Sequence, residues 1–94
     1  MPNLRVAHVR EQGIDLIITP LNHVFGHQPR SEQLATVDEI QFRSRQAGLA
    51  GTVIPVWDNG GGRMGFIAPA AWHSFFRSLD LHSVNRSINR ELAW

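Results

Sequence analysis

At 94 residues, 43% of them hydrophobic and 18% charged, the chain suits one domain spanning 1–94 and is too apolar to be disordered. With no cysteine it has no disulfide framework, thiolate nucleophile or cysteine metal site. The formal charge of +1 meets no Lys, Tyr or Cys that titrates above neutrality, so a pI of ≈ 9.1 describes a nearly neutral protein and argues against nucleic acid or an anionic membrane as partner.

Residues 1–9 carry Arg5 and His8 and lack the apolar stretch of a signal peptide. Apolar runs such as Leu16-Ile17-Ile18 fall far short of a membrane span. We expect a soluble, cytoplasmic protein. The use of Arg to the exclusion of Lys fits a GC-rich genome, and short motif-free chains of this kind are frequent in bacterial mobile gene cassettes.

Leu4 to Arg10 alternates as a strand, Glu11-Gln12-Gly13 makes a turn, and Ile14 to Thr19 is a second strand that pairs with the first. Pro20 is expected to end it, having no amide donor for a ladder. The connection from Leu21 to Arg30 lacks periodicity. A helix is then expected from an N-cap at Ser31 to about Ala47, stopped by Gly48. Its core face holds Leu34, Val37, Ile40, Gln41, Ser44 and Ala47, and Phe42 falls on the opposite face, near Ala35, Glu39 and Gln46.

Gly51 to Asp58 reads as a third strand, which Pro55 marks as an edge strand or a bulged one. The run from Asn59 to Gly62 turns into a fourth strand, Arg63 to Ala68. Pro69 opens a helical unit with an aromatic stripe of Trp72, Phe75, Phe76 and Leu79. Asp80 caps a last helix, in which Leu81, Val84, Ile88 and Leu92 share a line. The expected class is α+β in the order ββαββα, with one four-stranded, mainly antiparallel sheet, helices packed on one face, and the last helical unit split near Asp80. A split βαβ arrangement from Ile14 onward is the alternative.

Four constellations can carry chemistry. His23-x-x-x-His27 has the spacing of two metal ligands, but it lies in a loop with no HExxH acid, so we expect no metal. Asp58-Asn59-Gly60-Gly61-Gly62-Arg63 offers amides and a guanidinium to an anion, yet it enters a strand rather than the helix of a P-loop. Trp57 beside it can stack on a flat ligand or pack in the core. A pocket joining this turn to the histidine loop would be lined by His23, His27, Trp57, Asp58 and Arg63. Arg86 and Arg90, four apart, would share a helical face, too little for a nucleic-acid footprint. No GxSxG elbow is present. The opening MPNLRV resembles that of tautomerases of the oxalocrotonate type. That resemblance implies a catalytic base at Pro2 once Met1 is removed, although a helix follows the first strand in that family.

The strongest signal is surplus aromatic surface. Phe25 in a loop, Phe42 on the wrong helical face and Trp94 at the end are left over from the core and are candidate interface residues. We therefore expect a homo-oligomeric binding or protein-interaction module without a cofactor, acting by binding rather than catalysis. A small-molecule-binding domain or enzyme, and a nucleic-acid-binding accessory protein, are the alternatives.

Overall fold

The computed structural model describes residues 3–93; Pro2 and Trp94, singled out above, lie outside them. Strands β1 (Asn3–Glu11) and β2 (Ile14–Leu21) form the expected hairpin, with Glu11 opposite Ile14. The loop is therefore two residues, not three. Gln12 and Gly13 take φ of 53° and 77°, the pair of positive values that matches a tight hairpin to strand twist. A strand thus follows β1 where the tautomerase order has a helix. Helix α1 (Arg30–Gln46) begins two residues early, with Pro29 rather than Ser31 at the N-cap, and returns the chain to β3 (Thr52–Asp58). The chain then runs through β4 (Met64–Phe66), a short 3-10 turn, α2 (His73–Arg77) and α3 (Leu81–Arg86) to β5 (Arg90–Ala93).

The sheet has five strands, not four, in the order β4-β3-β2-β1-β5. It is mixed: β2 and β3 are parallel neighbours and the other pairs are antiparallel. Because these two strands are adjacent, β2-α1-β3 is a plain rather than a split βαβ unit. Helices cover both faces, contrary to the one-faced expectation. Alternating side chains explain this. Leu16, Ile18, Ile54 and Val56 point into a core with Phe76 of α2 and Val84 of α3. Ile17 and Val53 point the other way, joining Ile40 of α1, Val6 and Leu92. Among the described residues no helix is long and apolar enough to cross a membrane.

The last helical unit divides near Asp80 as expected, and Asp80 accepts from the Ser83 backbone N–H at 2.7 Å. That bond, then the Ser83 hydroxyl, holds its carboxyl below the ordinary carboxylate value. The final helix does not reach Leu92. It stops at Arg86, and the remainder becomes β5, paired with β1 from Val6–Arg90 to Asn3–Ala93. Asn89 makes the change. Its backbone N–H donates to Val6 O at 3.1 Å. Its side chain accepts from His8 N at 2.8 Å and donates to His8 O at 2.9 Å, so the amide stands in for a strand peptide. Arg86 and Arg90 consequently share no helical face.

Both strand prolines sit where a neighbouring ladder stops. Pro55 lies inside β3, between β2 and β4, and is not on an edge strand. Its carbonyl accepts from Ile67 N at 3.2 Å, so its nitrogen also faces the β4 side, where β4 has ended at Phe66. By the same alternation Pro20 faces the β1 side, beyond the last β1–β2 pair at Ala7–Ile18. It therefore does not end β2, which runs on to Leu21. The start of β3 has no strand on its β4 side. Gln41 of α1 fills that place, donating to Gly51 O and accepting from Val53 N, each at 3.0 Å. Gln41→Leu removes both bonds and leaves two backbone groups unpaired. The expected outcome is a loss of about 2–4 kcal/mol in urea unfolding, at about 1–2 kcal/mol per group, the lower part of the usual range because both bonds are only partly buried.

Candidate functional site

The parallel pairing of Leu21 with Trp57 places the carboxyl ends of β2 and β3 side by side. The loop after β2 and the turn after β3 therefore emerge at one end of the sheet. In the loop, Asn22 accepts from Val24 N at 2.9 Å and caps a 3-10 turn over His23–His27. Gln33 of α1 holds the turn from within by donating to Phe25 O at 2.8 Å. In the other segment Asp58 Oδ1 accepts from Gly60 N at 2.9 Å, and Asn59 N and Arg63 O close the turn at 2.9 Å. Gly60, Gly61 and Gly62 all have positive φ, a run no other residue type adopts cheaply.

Between loop and turn lies an open hollow of about 220 Å³, lined by His23, His27, Asp58, Asn59 and Gly60. The imidazoles of His23 and His27 meet edge to face, 6.5 Å between centroids. Arg63 faces a second hollow of about 260 Å³ on the other side of the turn, with Asp58, Asp80 and His82. Three of the five expected pocket residues, His23, His27 and Asp58, thus line one hollow, and Arg63 shares only Asp58 with it. Asp80 and His82 were not foreseen there. No period or motif relates the start of α3 to the turn, and only the fold of the sheet brings them together. Among the described residues no three His, Asp or Glu side chains gather as a metal site.

Trp57 does not serve this hollow. It is 8% exposed and packs 5.2 Å from Phe25, ring to ring. Its indole N–H has no protein acceptor among the described residues, so shape alone fixes it. Gly26 and Gly65 flank the ring, and a Cβ at either would overlap it. Phe25 is likewise buried, which removes it from the expected interface set.

Phe42 is different. It is 52% exposed on the outer face of α1, as its helical position implies; Leu34 and Ala47, expected on the core face, are exposed as well, and Gln33 is buried in their stead. Ala35, Asp38, Glu39, Arg45 and Gln46 surround it on that face, all exposed. The Arg43 guanidinium lies 5.6 Å from the centre of the Phe42 ring and pairs with Glu39 at 3.2 Å. The ring therefore has a cation beside it while about half of the residue meets solvent.

Comparison with family models, curated proteins and solved structures finds no match for this chain.

Replacement of Gly65 by Ala tests the packing around Trp57. Overpacking of this kind costs about 1–3 kcal/mol. Gly65→Ala should lower the melting temperature and shift Trp57 fluorescence, and an unchanged melting temperature would show that the indole can move aside.

Proposed function

We propose that the chain acts by binding a protein partner through the outer face of α1. The observation that carries this reading is Phe42, the one Phe or Trp that is exposed among the described residues. Aromatic side chains dominate binding hot spots. Sheet edges offer less. β4 has three residues and β5 has four, and short edges are poor templates for strand addition.

The reading requires that Phe42 contribute nothing to the fold of a single chain. Phe42→Ser should leave stability at about 1 µM protein within about 0.5 kcal/mol of the parent, as for other surface positions. A loss above about 1 kcal/mol would place the ring in the core and overturn the reading.

A second reading is favoured by the hollow at the strand ends. Ligands in open α/β sheets bind beyond the carboxyl ends of the strands, and here that place is lined by His23, His27 and Asp58. This reading makes the chain a binder of a small polar molecule. Its test is thermal unfolding against a panel of sugars, nucleotides and carboxylates. A stabilising compound should lose its effect in His27→Ala and in Asp58→Asn, and a panel without effect counts against the reading.

A further inference from the structure

Resting on the proposed role of the α1 outer face, we infer that its partner is a second copy of the same chain, docked antiparallel with the two Phe42 rings meeting at a twofold axis. The charge order along the helix carries this inference. Asp38 and Glu39 precede Phe42 on the exposed face, and Arg45 follows it. Parallel pairing would set like charges together. Antiparallel pairing about Phe42 reverses the order of the second helix, so the acidic half of each copy meets the basic half of the other.

The fit extends to the flanks of the seam. At 100° per residue Asp38 and Arg45 lie on one side of Phe42, while Glu39 and Gln46 lie on the other. A twofold axis perpendicular to the helices keeps each residue on its own flank and reverses only the direction along the axis. Arg45 of one copy is thus brought beside Asp38 of the second, and Gln46 beside Glu39. Glu39 already pairs with Arg43 in its own chain, so a neutral residue opposite it suits the arrangement. Among the described residues Asp38 makes no ion pair, so pairing with Arg45 disrupts none there. The interface is isologous: one patch serves both copies, and each contact occurs twice.

A helix of 17 residues is about 25 Å long, so one helix pair gives a contact near or below the ~1,200 Å² at the low end of specific interfaces. Such a contact makes a weak dimer, for which we expect a dissociation constant on the order of micromolar or above. Sedimentation velocity on the full chain should show a dimer at about 100 µM that dissociates on dilution. Phe42→Ser, Asp38→Arg and Arg45→Asp should each be monomeric at that concentration, with circular dichroism like the parent's. The double variant Asp38→Arg with Arg45→Asp should recover the dimer, because the two reversals restore opposite charges across the seam. A double variant that stays monomeric overturns the antiparallel register, and a parent monomeric to about 1 mM overturns self-pairing. Neither result touches the role of Phe42, whose test is the stability of the dilute monomer. A dimer that survives Phe42→Ser places the contact on another face and overturns the inference.

Discussion

The parallel pair β2–β3 is the constraint from which the rest of the structure follows. Both strands are apolar on both faces, through Leu16, Ile17 and Ile18 in one and Val53, Ile54 and Val56 in the other. Such strands are stable only with cover on each side. A parallel connection also needs a crossover, because a hairpin turn cannot return the chain to the same end of the sheet. One segment, α1, meets both demands: it carries the chain back and covers one face. The other face is left to the aromatic cluster of α2, where Phe76 lies fully buried. The same pairing sets the two strand ends side by side, so the His23–His27 turn and the glycine turn border one hollow.

Around this pair the sheet is finished with side chains where strands run out. Gln41 supplies the bonds that a longer β4 would have given β3, and Asn89 extends the β1–β5 ladder past its last backbone pair. Each presents an amide, the one side-chain group with a peptide's donor and acceptor. The prolines obey the same rule from the opposite direction, lying where a donor has no acceptor to lose. The result is a sheet with short edges, and of the four exposed large hydrophobics among the described residues, Ile14, Val24, Leu34 and Phe42, two lie on α1 and one of these is aromatic.

Much of this was legible in the residues. The first hairpin was marked by β-branched strands around Gly13, and the end of α1 by Gly48. Asp80 was readable as a cap because its side chain precedes a helical run. The misreadings have specific causes. Leu81, Val84, Ile88 and Leu92 fit a helix by spacing, yet Asn89 diverts the chain into a strand, and a tertiary bond to β1 leaves no trace in a local period. Pro20 reads as a strand end and Pro55 as the mark of an edge strand or a bulge because sequence does not reveal which side of a strand has a neighbour. The continuous run Leu16-Ile17-Ile18 did carry the sign of two-sided cover. At the hollow, the two segments were nameable from their residue types. Their meeting depends on the parallel register of Leu21 with Trp57, a pairing across more than thirty residues.

Helix α1 reverses the usual polarity at Gln33 and Leu34 and again at Gln41 and Phe42, and the second pair is the one that includes an aromatic ring. An ordinary surface helix turns apolar residues inward and polar ones outward. Here Gln41 turns in and Phe42 turns out. The first inversion is fully accounted for within the chain, since the Gln41 amide meets two backbone groups of β3. The second has no such account. Phe42 lies beside a cation of its own helix and is 52% exposed, in a chain that hides its other described Phe and Trp residues wholly or in part. A polar residue turned inward is explained by the bonds it makes there. By the same reasoning an aromatic residue turned outward is explained by a contact outside the chain. The acidic and basic groups on either side of Phe42 are arranged as a copy of the same helix, running the other way, would require.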